Sequence, residues 1–589
     1  MDSTSSTPYL TPRIVASPTS SDASLDKISQ QEEVTVYRLR VRSEHPVRPE
    51  PLTLQWALPA HNVQGVWSTN ALYEKRLRAD WEPPTVTARV AVEAPVLCLF
   101  GHDDYNVVTF ACSDAMHPIV LTAPVREEDR MIYAQLRFFT EAGPPTDYYE
   151  TDIRIDERAL LFGESLADMT RWWASYEHLA PATVPITAFR PVYSTWYAYH
   201  QNVSEEAILA ECRQAAALGY GILIIDDGWQ TLDNQRGYDY TGDWQPERLP
   251  NLAELAQEVH ALGMKLMTWY SVPFCGSKAR AYSRFQDKLL TEQHRWAPVL
   301  DPRYPEVRTY LVETYARALK EYQLDGVKLD FIDEFRSYPN TELTLEDGRD
   351  YASVDEAVDR LMKDVYDTLR ASDPDTLIEF RQRYVGPTMR RYGNMFRAFD
   401  CPMDSTTNRV RTTDVRLLCG PSAVHSDMFT WHDDEAVELA ALQFANVLFA
   451  VPQLSVRLAE QSDDHRRMIA FYTKYWNEHR DILMKGDFRA YRPLANYPIL
   501  SATFQERIIC GVYEDQVVNL EERFREIDFI NGKLSEQIAF ELYYDLGPCS
   551  VNVYNCLGQL DWCEDMELAE GMHALEVPIA GLIQIKTLS

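Results

Sequence analysis

Four aspartates in this chain stand where apolar, strand-like runs end. Ile222-Leu223-Ile224-Ile225 leads into Asp226 and Asp227, Gly326-Val327-Lys328-Leu329 into Asp330, and Met395-Phe396-Arg397-Ala398-Phe399 into Asp400. A single aspartate at a strand end usually caps a helix or sits in a solvated loop. Four at or beside such ends suggest a ring of carboxylates at the mouth of a parallel barrel, where catalytic groups gather. Two carboxylates there, with no metal-ligand cluster nearby, suit cleavage of a glycosidic bond: one is the nucleophile, the other the general acid and then base. In a retaining enzyme the pair stands about 5 to 5.5 Å apart. Asp330 and Asp400, delivered by the fourth and sixth strands, can meet across a barrel mouth.

Their neighbours divide the labour. Lys328 lies on the same strand face as Asp330 by the two-residue period, so its charge keeps Asp330 ionised as a nucleophile requires. Asp400 sits between Phe399 and Cys401-Pro402, a setting that raises a carboxyl pKa towards the protonated acid. Arg397 pushes the other way.

The elements that position these residues follow from periodicity. From Glu33 to about Ile155, short β-branched and aromatic runs are broken by Pro, Gly and Asp-rich turns, the pattern of an antiparallel sandwich. A helical linker over about Ala159 to His178 carries Trp172 and Trp173. From Arg190 the rhythm becomes strand, turn, helix, strand, with about eight repeats, the number a closed barrel needs. Strands are expected at Val192 to Trp196, Ile222 to Ile225, Lys265 to Tyr270, Val327 to Asp330, Leu377 to Arg381, Met395 to Asp400, Ala423 to His425 and near Leu448 to Val451. Ser204 is placed to cap the helix that follows, with Glu205 and Glu206 in its first turn. The reading is an α/β chain: a flexible arm (residues 1–30), a β-sandwich domain with its helical linker (31–180), a catalytic (β/α)8 barrel (181–486) and a closing antiparallel β-sandwich (487–589).

Composition removes other classes. The formal net charge of −32 leaves no basic face for nucleic acid or an anionic membrane. No run approaches the about 18 apolar residues of a membrane span. Ten irregularly spaced cysteines read as reduced thiols of a cytoplasmic protein. Cys549, Cys556 and Cys563 recur every seven residues without a CxxC pair, and His425 and His432 flank Asp427 without a third ligand in range, so no metal is expected. No phosphate-cradling glycine motif occurs, and no cofactor is expected.

The ordered set Trp196, Ile225-Asp226-Asp227-Gly228-Trp229, Gly242-Asp243-Trp244, His260-x-x-Gly263-Met264-Lys265, Trp269, Lys328-Leu329-Asp330 and Arg397-x-x-Asp400-x-x-x-Asp404 resembles the barrel of clan D glycoside hydrolases, closest to the family 36 α-galactosidases. The likeness runs from Pro191 to Tyr475. It implies a retaining double displacement with Asp330 as nucleophile and Asp400 as acid/base, acting on an oligosaccharide or glycoconjugate that ends in an α-galactose-like sugar. It also implies that Asp226 and Asp227 bind the 4- and 6-hydroxyls, that Lys328 reaches the 3- and 4-hydroxyls, that Arg397 lies near the 2-hydroxyl, and that Trp196 walls the pocket. Asp404 is a further candidate for the site. Trp269 divides evenly between sugar platform and barrel core, as do Trp229 and Trp244. Homo-oligomerisation is an expectation taken from the long members of the family, although the front module here is shorter than theirs.

One departure bears on the substrate. The family has a Cys-Ser-Gly-rich turn after its fifth strand, against the sugar's 2-position and the aglycone, whereas this chain reads Glu379-Phe380-Arg381-Gln382-Arg383-Tyr384-Val385-Gly386. Glu379 and Arg381 therefore join the candidate substrate-binding residues. The same turn keeps an α-N-acetylgalactosaminidase and a raffinose-synthase-like transglycosylase as alternatives. A family 31-like α-glucosidase fits the Asp226-Asp227-Gly228-Trp229 run less well, and a non-catalytic sugar-binding barrel is the most distant reading. Asp333 and Glu334, just past Asp330, read as solvated loop charges.

Overall fold

The structure is a computed structural model that describes residues 11–588 apart from Ala71, Tyr73 and Pro84. At its centre eight parallel strands close into a barrel: β1 (Val192–Ser194), β2 (Ile222–Ile225), β3 (Lys265–Ser271), β4 (Gly326–Asp330), β5 (Leu377–Arg381), β6 (Met395–Arg397), β7 (Ala423–Phe429) and β8 (Val451–Leu454). Their order around the barrel is their order in the chain, and β8 closes onto β1 through Val192 and Gln453. Every residue of β2, β4, β5 and β7 is buried, as parallel strands covered on both faces must be. Several strand ends differ from the sequence reading: the sixth strand stops at Arg397 and not Asp400, and the seventh runs on to Phe429. The eighth strand starts at Val451, and the first stops at Ser194, so that Trp196 opens the short helix Trp196–Tyr199. The helix Glu205–Ala217 is capped by Ser204, whose hydroxyl accepts from the Ala207 amide at 3.2 Å.

In front of the barrel, two six-stranded antiparallel sheets face each other. Leu52–Pro59 and Met131–Phe138 alternate buried and half-buried residues along their length. That period of two turns Leu54, Trp56, Leu136 and Phe138 into a shared apolar core. Residues 13–16 and 22–31 form strands, not the loose arm that their polar composition suggests. Arg13–Ala16 pairs with Leu52–Pro59, and Asp22–Gln31 runs antiparallel along Val34–Val47 as the outer strand of its sheet. An edge strand needs few apolar contacts when its neighbour satisfies its backbone; here Ala23 and Leu25 supply them. Residues 1–10 of the expected arm lie outside the described residues.

The linker helix Phe162–Ala174 buries Trp173, whose indole nitrogen donates to the Cys112 carbonyl at 2.8 Å. After the long helix Asp463–Lys485, a seven-stranded and a three-stranded sheet form the closing module. Its pairings are antiparallel except for one parallel pair in each sheet, Arg507–Val512 with Glu526–Asn531 and Val517–Leu520 with Gln537–Leu542. One buried cluster ties all three parts together. Asp414 of the barrel accepts from Lys75 (2.8 Å) and Trp67 (2.8 Å) of the front module and from the Tyr497 hydroxyl (2.5 Å) of the segment that opens the closing module. Among the described residues no helix is long and apolar enough to cross a membrane.

Candidate active site

Because all eight strands run the same way, the residues just past β2, β4 and β6 emerge on one rim of the barrel. Asp330 is the last residue of β4, and the chain turns sharply after it through Phe331, which has φ 63°. Its Oδ1 accepts from Arg381 Nε (2.6 Å), the Phe331 amide (2.7 Å) and the Tyr384 hydroxyl (3.3 Å), while Oδ2 accepts from Trp269 Nε1 (3.0 Å). Burial alone would raise the Asp330 pKa, but Arg381, Lys328 and Arg397 outweigh it and hold the carboxyl well below the usual range. Asp330 is therefore an oriented, ionised carboxylate, with the crowded Oδ1 fixed and Oδ2 the freer oxygen. Trp269 is buried against Tyr238, Trp244 and Phe331, so it meets the site through its N–H.

Lys328, two residues earlier on β4, pairs with Asp226 Oδ2 at 2.6 Å, both side chains buried. The Asp227 amide donates to Asp226 Oδ1 at 2.9 Å, which fixes the second oxygen. Asp227 accepts from Gln201 (2.9 Å) and Gln230 (2.7 Å), and burial lifts its pKa to about 6. Two carboxylates and an ammonium held this way can accept from and donate to adjacent hydroxyls of a small polyol. Trp196 lies at the rim, half-buried, with His200 edge-on at 4.7 Å and the Arg236 guanidinium 5.5 Å from its ring.

On the opposite side, Arg397 of β6 donates to Asp400 Oδ1 at 2.9 Å and makes a very short contact with Asp427 Oδ1 on β7. Its Nε is 3.7 Å from Glu379 Oε1 on β5. Glu379 is buried, accepts from Gln453 at 2.7 Å, and has its pKa raised by burial. The Asp400 side chain keeps half its surface exposed. Its pKa differs from the sequence expectation: burial pushes it up, but Arg397 and Arg381 prevail and leave it below the ordinary value. Asp400 is thus ionised in the free site. Among the described residues no group of three His, Cys, Asp or Glu side chains is arranged to hold a metal ion.

The model of the Melibiase family matches residues 159–486, more than half of the chain. The chain belongs to the Melibiase family. Alpha-galactosidase AgaA of Geobacillus stearothermophilus is 31% identical over 153 residues, covering 24% of this chain and 21% of that protein. Alpha-galactosidase of Escherichia coli is 29% identical over 157 residues, covering 25% and 22%. The aligned stretches thus span about a fifth of these curated relatives. Among solved structures, an AgaA variant from G. stearothermophilus in complex with 1-deoxygalactonojirimycin superposes with a TM-score of 0.66 at 15% identity, covering 94% of this chain and 80% of that one. A further AgaA variant in complex with stachyose gives 0.65 at 14% identity, covering 98% and 87%.

Within this Melibiase-family barrel, Asp404 stands apart from the other candidates. It is exposed and caps the helix Ser405–Cys419, accepting from the Thr407 amide (2.9 Å) and hydroxyl (2.6 Å). Asp333 is no solvated loop charge: its side chain is 14% exposed and lies 3.5 Å from Arg381 NH2, and burial raises its pKa. Three contributors have no part in the motif pattern: Tyr384, Tyr197, whose hydroxyl donates to Asp427 Oδ2 at 3.0 Å, and Asp427 itself. The signal for Asp427 is a carboxylate inside a strand whose seven residues are all buried, a position that charged side chains occupy only when paired.

Proposed function

We propose that the protein is an exo-acting, retaining α-galactosidase that removes terminal α-linked galactose from oligosaccharides or glycoconjugates. The observation that carries this reading is the pinned, ionised Asp330 beside the buried Lys328–Asp226 pair, with Asp400 across the rim on Arg397. The family match and relatives crystallised with 1-deoxygalactonojirimycin and with stachyose support the sugar. Asp226, Asp227 and Lys328 would take the 3-, 4- and 6-hydroxyls. Asp330 Oδ2 then attacks C1 while Asp400 gives its proton to the departing oxygen, leaving a glycosyl ester and a free alcohol. In the second step Asp400 takes a proton from water, which attacks C1 and releases Asp330. Arg381 beside the nucleophile offers a charged donor that suits a 2-hydroxyl. Ten cysteines, none paired, fit a reducing compartment such as the cytoplasm.

The test is Asp330→Asn with nitrophenyl α-galactoside, together with NMR of the first-formed sugar. The expected results are loss of turnover by on the order of 10⁴-fold with the fold unchanged, and α-galactose as first product from the wild type. Near-wild-type turnover in Asp330→Asn, or β-galactose formed first, overturns the proposal.

A further inference from the structure

Asp427 is fully buried on β7 and contacts the acid/base segment at two points, with the Tyr197 hydroxyl as a third partner. Its Oδ1 shares Arg397 NH1 with Asp400 Oδ1. Its Oδ2 accepts from the amide of Cys401, the residue after Asp400, at 2.7 Å, and from the Tyr197 hydroxyl at 3.0 Å. Its own backbone is locked from the helix behind, where Asn408 accepts from the Asp427 amide and donates to its carbonyl, both at 3.0 Å. A buried carboxylate with a cationic partner and two neutral donors is a rigid group. The half-exposed Asp400 has one such fixed contact, Arg397, and that contact is shared.

We propose that Asp427 is the positioning residue for the general acid: it anchors Arg397 and the Cys401 amide, aims Asp400 at the leaving-group oxygen, and draws off part of the guanidinium charge that Asp400 would otherwise face alone. The inference rests on the α-galactosidase reading for its catalytic consequence, though not for the electrostatic one. The other groups near Asp427 leave that balance in place. Glu379 on β5 reaches it only through Arg397. His425 on β7 is kept neutral by burial, its pKa pushed down to about 3. Gln453 on β8 is uncharged, and Arg411 of the helix behind donates to the Asp400 carbonyl at 2.7 Å. Burial raises the Asp427 pKa to about 6, with Asp400 adding to the rise, so the two carboxylates feel each other across the guanidinium.

Asp427→Asn keeps the shape and removes the charge. Arg397 then acts undivided on Asp400, whose proton affinity falls, and the acid form needed for the first step is lost at lower pH. The expected results are a fall in kcat/KM of on the order of 10²-fold for an alkyl α-galactoside, a much smaller fall for α-galactosyl fluoride, whose leaving group needs little protonation, and an alkaline limb displaced downward. Tyr197→Phe removes one donor to the Asp427 anion without opening a cavity, and shifts the same quantities in the same direction by less. Independently of turnover, titration of the Asp400 carboxyl by ¹³C NMR should move down by about one pH unit in Asp427→Asn. An equal loss for both leaving groups, or an Asp400 titration unchanged in both variants, overturns the proposal. A wild type inert towards α-galactosyl fluoride overturns the assigned function instead, and the NMR titration still decides the role of Asp427.

Discussion

Replacing Arg381 by Met removes the cation closest to the nucleophile while keeping an unbranched side chain between Phe331, Tyr384 and Phe399, whose rings lie 5.3, 5.3 and 4.9 Å from the guanidinium carbon. Arg381 Nε is 2.6 Å from Asp330 Oδ1, which places the charge centres about 4 Å apart; at an effective permittivity of about 20 this is worth about 4 kcal/mol, or about three pH units of Asp330 acidity. Lys328 and Arg397 stay, so Asp330 remains ionised at neutral pH. The sign is fixed by which form works. Asp330 must be charged to attack, its pKa is depressed in the wild type, and activity is lost as pH falls through that value; raising it moves the acid limb of kcat/KM upward. Arg381 is also the second cation that lowers Asp400, and Asp400 must be protonated in the first step, so the alkaline limb moves upward as well. The whole bell-shaped profile of Arg381→Met, measured from pH 3 to 9 with nitrophenyl α-galactoside, should therefore shift to higher pH. The variant should also unfold more easily, by about 3 to 5 kcal/mol, because Asp330 loses its partner in a buried setting. Profiles that coincide on both limbs would refute the electrostatic account of this pair.

Two further outcomes concern residues away from the chemistry. Asp404→Ala removes the cap of the helix Ser405–Cys419 and should cost about 1 kcal/mol in denaturant unfolding, with kcat and KM for nitrophenyl α-galactoside unchanged; a KM raised more than a few-fold would return Asp404 to the sugar site. Asp414→Asn weakens the cluster where Lys75, Trp67 and Tyr497 meet, and because Lys75 and Asp414 are each 2% exposed, leaving the ammonium without its counter-ion should cost about 3 to 5 kcal/mol. Thermal unfolding in which front module and barrel still melt together at the wild-type temperature would count against that cluster as the joint between them.

What the sequence could and could not carry divides along a physical line. β2 is a run of consecutive apolar residues ended by aspartate, and β4 is one interrupted only by Lys328, so both the strands and the rim positions of Asp226, Asp227 and Asp330 are written locally. The outer strand Asp22–Gln31 is not, because its stability comes from the ladder with Val34–Val47, and nothing in its own polar composition requires a partner. At Asp404 two local patterns compete. An aspartate followed by Ser405-Thr406-Thr407 has a complete local explanation as a helix cap, and the motif spacing competed with it.

The charge state of the site is the part no local pattern contains, because it depends on register between strands distant in sequence. Arg381 and Arg397 are direct partners on β5 and β6, as are Lys328 and Glu379 on β4 and β5. Two guanidinium groups side by side in a buried barrel are tolerable only if carboxylates are interleaved with them. The structure supplies them: Arg381 lies between Asp330 and Asp333, and Arg397 between Asp400 and Asp427, with Glu379 3.7 Å from its Nε. In each set one carboxylate is assigned to chemistry by the proposed function, and its companion takes a share of the same cation. Asp333 thus stands to Asp330 as Asp427 stands to Asp400. Neutralising either companion should lower the proton affinity of its catalytic neighbour by returning the undivided guanidinium to it. For Asp330, already far below its working range, that shift is silent in the pH profile; for Asp400, which must hold a proton to start the reaction, it is the quantity on which the rate depends.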